Sequence, residues 1–308
     1  MTFSRLSLRA LCTQTSRTGL ACLTTLATVA LPGAAAADTL QLAASKDNTL
    51  YFAASGEYSN GAGDHLFAGN TGSAAARRAV IAFDLSDVPS GATVNSATLR
   101  LFMSKTRTGT QTIAAHRLLA DWGEGTSDAD GEEGSGAAST PGDATWVHAF
   151  YANQLWVNQG GHLAATPSAA TAVTATGFYT WTGTGIAADV QAWVDNPSAN
   201  FGWILVGNEA TAQSAKRFDS RSNPLISQRP ALVIEYTAPV YCLGDADCSG
   251  AVDFFDIDPF VAKLGCPSSD PDTCSDGCPW QNSDVDSNGT VDFFDIDPFV
   301  DLLGTACP

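Results

Sequence analysis

Short apolar runs separated by turns rich in glycine, asparagine and serine make up most of the chain between residues 40 and 237. Runs of this length, several with apolar and polar residues in alternation, are typical of β-strands that bury one face. One stretch, residues 186–194, instead repeats its apolar residues at the spacing of an amphipathic helix. The predicted strands span residues 49–53, 79–84, 97–104, 112–119, 146–151, 178–182, 202–206, 216–221 and 231–236.

Many short strands and one short helix indicate the fold class of this part of the chain. A mainly β domain of about 200 residues with this pattern is most simply a two-sheet sandwich of the jelly-roll type. We assign residues 38–240 to this jelly-roll β-sandwich. Residues 1–37 precede it, and residues 241–308 follow it as a separate small domain.

The small C-terminal domain contains a duplicated sequence motif. DFFDIDPFV begins at Asp253 and again, 39 residues later, at Asp292. With the acidic, glycine-containing run before it, each copy places oxygen-bearing side chains at positions 1, 3, 5, 9 and 12 of a twelve-residue loop. An EF-hand calcium loop takes its ligands from these positions and from the backbone carbonyl at position 7, with glycine at position 6.

The two loops therefore predict two calcium sites. Ca2+ suits them because it is a hard cation that accepts many oxygen ligands in a flexible geometry. The apolar residue at position 8, Val252 or Val291, is expected to let the two loops pair side by side. The predicted ligands are Asp245, Asp247, Ser249, Ala251, Asp253 and Asp256 in the first loop, and Asp284, Asp286, Asn288, Thr290, Asp292 and Asp295 in the second.

Two departures from an EF-hand change what these repeats resemble. Position 12 is aspartate rather than the usual glutamate, and no helical pattern precedes either loop, so each unit is a loop followed by one helix. Paired loop–helix units of this kind resemble dockerin type I modules, over about residues 244–303. The resemblance implies a small α-helical domain that docks onto a cohesin-like protein.

The resemblance also implies which residues contact the partner. In dockerin type I modules these are loop positions 10 and 11 and the helix after them, and here the two positions hold Phe254, Phe255, Phe293 and Phe294. Adjacent helical residues point about 100° apart, so we expect one phenylalanine of each pair to be exposed. The alternative is that all four pack between the repeats. Because the two copies are identical, we expect two partner-binding faces related by a pseudo-twofold axis.

Charge and the N-terminal segment indicate where the protein acts. The formal net charge of −17 makes nucleic acid an improbable partner. Residues 1–37 contain three arginines, no acidic residue, an apolar stretch and a run of alanines, which together predict a secretory signal peptide. A lipid anchor at Cys22 is the weaker alternative. No other stretch is long and apolar enough to span a membrane, so we expect a secreted protein, extracellular or at the cell surface.

Cysteines are confined to the two ends of the chain. Residues 38–240 contain none, and an even number in a small exported domain predicts disulfides. Zinc at Cys274 and Cys278 is the rival interpretation, disfavoured because this domain has no histidine. Six cysteines allow 15 pairings, and the sequence does not choose among them. The six are Cys242, Cys248, Cys266, Cys274, Cys278 and Cys307.

Short sequence motifs spread over residues 38–237 resemble those of DNRLRE-type domains and occur in the same order. The matching motifs are residues 47–51 (DNTLY), 78–85 (RAVIAFDL), 92–101 (ATVNSATLRL), 189–193 (DVQAW), 200–203 (NFGW), 218–221 (FDSR) and 229–236 (RPALVIEY). The closing motif of the family usually has glutamate where this chain has Ser222. The resemblance implies a jelly-roll sandwich in secreted proteins, often attached to polysaccharide-degrading or cell-surface architectures. Some relatives are similar to carbohydrate-binding modules.

One segment of the sandwich, residues 121–142, is acidic and rich in glycine and is predicted to be a long loop, which we call the acidic segment. Exposed aromatic rings stack on sugars, so the aromatic residues in and after it are the expected carbohydrate platform. Their alternative is burial in the core. The platform residues are Trp122, Trp146, Tyr151 and Trp156. The carboxylates of the segment are expected to be solvated rather than to hold calcium. They are Glu124, Asp128, Asp130, Glu132 and Glu133.

Together these features favour a secreted, non-catalytic protein. Its β-sandwich would bind polysaccharide or build extracellular matrix, and its calcium-dependent tail would dock onto a cohesin-like partner. The alternatives are a polysaccharide-degrading enzyme, either a lyase or a glycoside hydrolase, and a purely structural cell-surface protein. His148, Tyr151 and Arg117 are residue types that a lyase would use, but no catalytic motif accompanies them.

Overall fold

The computed structural model describes residues 37–266 and 278–307. Residues 1–36, which hold nearly all of the predicted signal peptide, and Cys274 lie outside these ranges. The helices are α1 (Thr184–Asp195), α2 (Ile257–Ala262) and α3 (Ile296–Leu302), with short 3-10 turns at Pro197–Ala199, Ile226–Gln228, Phe254–Asp256 and Trp280–Asn282. The strands are β1 (Ala37–Tyr51), β2 (Tyr58–Ser59), β3 (His65–Asn70), β4 (Ala76–Phe83), β5 (Thr93–Thr106), β6 (Gln111–Arg117), β7 (Ala137–Ala138), β8 (His148–Phe150), β9 (Gln154–Leu155), β10 (Ala169–Val173), β11 (Gly177–Thr182), β12 (Trp203–Val206), β13 (Lys216–Asp219), β14 (Ala231–Thr237), β15 (Ala251–Val252) and β16 (Thr305–Ala306).

The long strands form two antiparallel sheets. In the first sheet β5 is central: it pairs with β14, β13 and β11, while β13 also pairs with β3 and β14 with the first half of β1. The second sheet has the order β1, β4, β12, β6, β10, using the second half of β1. A register shift between Ala44 and Lys46 marks the point where β1 passes from one sheet to the other. The expectation of a mainly β chain with large antiparallel sheets is confirmed.

The main core lies between the two sheets. Leu99, Leu101 and Phe218 of the first sheet pack in the same cluster as Ile81 and Trp203 of the second. Helix α1 joins this cluster through its apolar stripe, which includes Trp193. Two of the buried tryptophans in this core have hydrogen-bond acceptors: the Trp203 Nε1 donates to Asp189 Oδ2 at 2.8 Å, and the Trp181 Nε1 donates to the Ile113 carbonyl at 2.8 Å. The Trp193 Nε1 is buried without an acceptor.

The outer faces of the two sheets differ. Leu50, Val80 and Ile204 point outward from the second sheet and are buried under residues 118–163, which bring three tryptophans onto them. Strand β4 is therefore buried on both faces, which explains its continuous apolar run. Strand β5 of the first sheet instead alternates between buried and partly exposed residues. The outer face of the first sheet therefore meets solvent.

The sequence pattern predicted most of these elements. Each of the nine predicted strands overlaps an observed strand, and the predicted helix at 186–194 lies within α1. Strands β3 and β10 and the first half of β1 were not predicted. They are rich in alanine, glycine and polar residues, so β-branched enrichment does not mark them, and the alternation in β1 is limited to Leu40 and Leu42.

The C-terminal residues pack around a small core of their own. The rings of Phe260 and Phe299, equivalent residues of the two repeats, stack with centroids 4.4 Å apart. The expected side-by-side pairing of the loops through Val252 and Val291 is wrong. The Val252 carbonyl accepts from the Gly304 N–H, and the Val291 carbonyl accepts from Gly265, so each loop pairs with the chain that follows the helix of the other repeat.

Disulfides link the described cysteines of this domain. Cys242 bonds to Cys307 and Cys248 bonds to Cys278, and Cys266 is also disulfide-bonded. The disulfide prediction is therefore confirmed for these five residues. The rival zinc interpretation is wrong for Cys278, because its sulfur is already engaged.

Candidate functional site

Three of the four predicted platform rings are buried. Trp122, Trp146 and Trp156 are only 0%, 7% and 5% exposed, and they form the layer that covers the outer face of the second sheet. Their indole edges are used internally: the Trp156 Nε1 donates to the Thr145 carbonyl at 2.8 Å. The expectation that these three form an exposed platform is wrong, because the segment that carries them folds back onto an apolar sheet face. Tyr151 is half-buried, with its ring edge-on to His148.

The acidic segment is held to the sandwich by hydrogen-bonded charged side chains and is not fully solvated. Both carboxylate oxygens of Glu124 accept hydrogen bonds from the Arg221 guanidinium at 2.5 Å, and Glu124 Oε1 also accepts from the Asp47 N–H at 2.8 Å. Asp47 in turn accepts from the Arg221 N–H at 2.7 Å. The glutamate that pairs with Arg221 is thus Glu124, which is distant in the sequence, and the residue next to Arg221 is Ser222. The expectation of solvation is wrong for Glu124.

Glu133 anchors the other end of the segment. Its carboxylate accepts hydrogen bonds from Asn60 Nδ2 at 2.8 Å and from the N–H groups of Asp64 and His65 at 3.1 and 2.9 Å. Burial acts to raise the pKa of the Glu133 carboxyl, but the hydrogen bonds from His65 and Asn60 outweigh it and hold the pKa below its usual value. The expected solvation is therefore wrong for Glu133, whereas Asp128, Asp130 and Glu132 are exposed.

An open groove of about 270 Å³ lies between the end of β5, the β3–β4 turn, the acidic segment and β13. Three of its lining residues are cationic: Lys105, Arg107 and Arg217. One oxygen of the exposed Glu132 carboxylate accepts from the Lys105 Nζ at 2.7 Å and from Arg217 Nη1 at 2.8 Å. Among the residues that the structure describes, Arg107 has no hydrogen bond or ion pair. We call these lining residues the basic groove.

A buried lysine fixes one wall of the basic groove. The Lys216 Nζ donates to Thr106 Oγ1 at 2.5 Å and to the carbonyls of Thr108 and Gly109 at 2.8 and 2.7 Å, which holds the turn after β5 in place. Burial lowers the pKa of this amine. The groove was not predicted. Its only signal in the sequence is Lys105-Thr-Arg107 at a strand end, because Arg217 and Glu132 reach it from distant parts of the chain.

In each predicted calcium loop, three carboxylates converge. Oxygens of Asp245, Asp247 and Asp256 lie within 4.8 Å of one another, as do those of the equivalent Asp284, Asp286 and Asp295. These are positions 1, 3 and 12. The position 9 carboxylates instead cap the following turns, where Asp253 accepts from the Phe255 N–H at 2.8 Å and Asp292 from the Phe294 N–H at 2.7 Å. In many calcium loops this position reaches the ion through water.

Backbone hydrogen bonds preset the shape of both loops. Asp245 accepts from the N–H groups of Ser249 and Gly250, and Asp284 accepts from those of Asn288 and Gly289 in the same way. The glycines at position 6 have φ of 94° and 89°, which disfavours other residues. Burial raises the pKa of Asp256 and of Asp284, which disfavours their ionised forms. A cation at the centre of each loop would act in the opposite direction and favour the ionised carboxylates. The all-oxygen donor set fits a hard divalent cation such as Ca2+.

All four phenylalanines that were predicted to contact a partner are exposed. Phe254, Phe255 and Phe293 are 79% exposed and Phe294 is 76% exposed. The alternative in which they pack between the repeats is wrong, because Phe260 and Phe299 occupy that position. We expected one exposed ring in each pair, but both rings of each pair are exposed. Each pair lies in a short turn at the surface and not inside a longer helix.

The side chains that a lyase would require are not gathered in the described residues. His148 contacts Tyr151 and Thr145, whereas Arg117 lies 3.7 Å from Asp189 on helix α1. No helix in the described part of the chain is long and apolar enough to cross a membrane.

One family comparison bears on this geometry. The family model of carbohydrate-binding module family 96 (CBM96) matches residues 38–127, which run from β1 through β6 into the acidic segment and include Lys105 and Arg107. No curated protein matches the chain. The match fits a β-sandwich carbohydrate-binding domain and indicates polysaccharide as the class of ligand. It does not extend to residues 241–308.

Proposed function

We propose that the β-sandwich, of the jelly-roll type, binds an anionic polysaccharide in the basic groove. The CBM96 match supports a carbohydrate ligand, and the charge of the groove supports an anionic one. The observation that carries the proposal is the Glu132 carboxylate, which is 71% exposed at its side chain and accepts from both Lys105 and Arg217. A carboxylate or sulfate group of the polysaccharide would take the same two donors, and Arg107 would contact a neighbouring sugar.

Such a site binds through many weak contacts. An exposed ion pair contributes only about 0.2–1 kcal/mol and is screened by salt, so affinity arises from several contacts along one polymer. Glu132 competes with the ligand for its donors. Binding should therefore weaken with salt and strengthen when this carboxylate is removed.

The test compares Lys105→Gln/Arg107→Gln, Glu132→Gln and the unchanged chain. Each is titrated with polygalacturonate, dextran sulfate and neutral dextran at low and high salt. We expect the double variant to lose roughly 2- to 30-fold in affinity for the anionic polymers, and Glu132→Gln to gain a few-fold. Neutral dextran that binds as well as the anionic polymers, or a double variant with unchanged affinity, would exclude the basic groove as the site.

We also propose that residues 241–308 form a dockerin-like domain that binds two Ca2+ ions and docks onto a cohesin-like protein. The converging carboxylates of both loops and the high exposure of the four phenylalanines support this. A bound Ca2+ in each loop would offset two of the negative charges of the crowded carboxylates. In this proposal the protein is secreted. The dockerin-like domain attaches the polysaccharide-binding sandwich to an extracellular or cell-surface scaffold.

A polysaccharide-degrading enzyme and a purely structural surface protein are the competing functions. Incubating the full chain with the same anionic polymers and measuring reducing ends and unsaturated products tests the first. Retention of those polymers on the immobilised chain separates binding from a purely structural function.

A further inference from the structure

The outer face of the first sheet presents an ordered row of side chains next to the basic groove. Alternation along β5 buries Leu99, Leu101 and Met103 and turns their neighbours outward. The outward residues at this end of the strand are Arg100, Phe102 and Ser104, and the groove residue Lys105 follows them. At about 3.4 Å per residue, Arg100 and Lys105 lie roughly 17 Å apart along the strand.

Two aromatic rings stand together on this open face. Phe102 of β5 is the direct cross-strand partner of Phe178 of β11, and their ring centroids are 5.0 Å apart. Phe178 is 48% exposed, and the Arg100 guanidinium carbon lies 4.9 Å from the centre of its ring. Such a cross-strand pair stabilises the sheet by about 0.2–1 kcal/mol, and aromatic rings clustered on an open face also mark interaction sites. These three side chains form what we call the aromatic–arginine patch.

The charge of this strip is opposite to that of the molecule. Residues 38–240 contain 18 acidic and 11 basic residues. Along the strip, however, the described residues place only two carboxylates near Arg100, Lys105, Arg107 and Arg217: the exposed Glu132 and the buried Asp219. Within residues 37–266 and 278–307, the Arg100 side chain makes no ion pair or hydrogen bond, and its buried Nε has no acceptor. The nearest acidic side chain along β14, Glu235, accepts instead from Ser96 at 2.9 Å.

The patch and the basic groove are continuous. The Arg217 Nε, at the wall of the groove, donates to Ser104 Oγ at 3.1 Å, and Ser104 is the next outward residue after Phe102 on β5. A polymer lying in the groove therefore meets Ser104 and then the aromatic rings if it continues along the strand.

We propose that the aromatic–arginine patch is a second subsite for the anionic polysaccharide, occupied by the part of the polymer that extends beyond the basic groove. This inference rests on the function proposed for the groove. Phe178 and Phe102 offer apolar surface to the carbon face of a sugar ring, and the Arg100 guanidinium pairs with the anionic group of that sugar or its neighbour. Long chains therefore bind more tightly than short ones.

The experiment measures the length dependence of binding in the full chain. Trimer and octamer oligogalacturonates, with dextran sulfate as a sulfated probe, are titrated into Phe178→Ser, Arg100→Gln and the groove variant Lys105→Gln/Arg107→Gln. Ile226→Ser removes a 74% exposed side chain elsewhere and serves as the matched control. Thermal unfolding verifies that each variant is folded, and Arg100→Gln keeps both rings if Phe178→Ser is unstable.

We expect both patch variants to lose roughly 5- to 20-fold in affinity for the octamer while keeping their affinity for the trimer. The groove variant loses affinity for both lengths. Patch variants that bind the octamer normally, while the groove variant does not, overturn the second subsite and leave the groove intact. A groove variant that binds both lengths normally overturns the function on which the inference rests. A second copy of the chain is the other possible occupant of the patch, and analytical sedimentation tests it. Self-association of the unchanged chain that is lost in Phe178→Ser would assign the patch to that second copy and overturn the proposal.

Discussion

Asp47 combines a structural function with an electrostatic cost. Its carboxylate is 1% exposed and accepts from the Arg221 N–H, which holds the turn after β13 against β1. Burial raises the pKa of this carboxyl to about 7, and the nearby Glu124 carboxylate adds to the rise. The acceptor is needed, but its charge is not, because the hydrogen bond from a backbone N–H requires only an oxygen atom.

We therefore expect Asp47→Asn to remove a pH-dependent loss of stability. The folded pKa lies above the value of 3.8 for an unperturbed aspartate, so the folded state binds the proton more tightly. Stability from this group is present at low pH and is lost as pH rises from about 4 to about 7. Across that window the free energy of unfolding of Asp47→Asn should rise relative to the unchanged chain by on the order of 1–4 kcal/mol.

Urea unfolding at several pH values between these limits measures the difference. Asp87→Asn is the matched control, because Asp87 is exposed and its side chain makes no hydrogen bond or ion pair in the described part of the chain. A difference between Asp47→Asn and the unchanged chain that does not change with pH would contradict the shifted pKa.

At the scale of elements, the sequence predicts strands well but not what covers them. Periodicity identifies β4 because its local pattern is apolar on both faces. Nothing local tells that residues 118–163 supply the second covering layer, so Trp122, Trp146 and Trp156 could equally have been platform or core. The loop spacings are different: positions 1, 3 and 12 lie within twelve residues, and their carboxylates converge as the spacing predicts. The basic groove depends on contacts between residues as far apart as Glu132 and Arg217, which no local pattern contains.

The loop–helix elements should depend on Ca2+. Three carboxylates within 4.8 Å repel one another without a cation, and an ion that binds only the folded loops stabilises them by about 2.7 kcal/mol when it is present at 100 times its Kd. We expect chelation in the full chain to make residues 241–308 sensitive to protease and to speed their amide exchange. The sandwich should remain protected. The disulfides limit how far the domain opens.

Asp256→Asn/Asp295→Asn supplies the matched variant, because it removes one carboxylate charge from each loop. It should resemble the chelated state at Ca2+ concentrations that protect the unchanged chain. Asp258→Asn/Asp297→Asn alters exposed acids of the same repeated motif outside the twelve-residue loops and should behave like the unchanged chain. Exchange rates in residues 241–308 that are unaffected by chelator would show that the loops do not need the ion.

At the scale of the whole molecule, the C-terminal domain and the groove of the sandwich carry charges of opposite sign. Residues 241–308 contain 14 acidic residues and one basic residue, Lys263, which is buried. The sandwich instead gathers cations along the groove and β5. A polyanion that fits the groove should therefore be repelled from the tail, and the proposed partner of the tail would need apolar pockets for phenylalanine with a basic rim. If both proposals hold, this separation of charge would allow one chain to hold polysaccharide and partner at the same time.

The repeats should provide two equivalent docking faces. The two repeats share an identical sequence motif, and the equivalent residues Phe260 and Phe299 stack on each other. Val252 and Val291 each accept a hydrogen bond from the residues that follow the helix of the other repeat. These reciprocal contacts are those expected of two halves related by a pseudo-twofold axis. Phe254→Ser/Phe255→Ser then removes one of two equal binding modes. Affinity for an immobilised cohesin-like module should fall only about twofold, which is about 0.4 kcal/mol. Phe293→Ser/Phe294→Ser should behave alike, and replacing all four rings should abolish binding, with calcium titration confirming that each variant keeps both sites. A complete loss in either double variant that still binds calcium would mean a single asymmetric face, in which one pair contacts the partner and the other pair lies outside the interface.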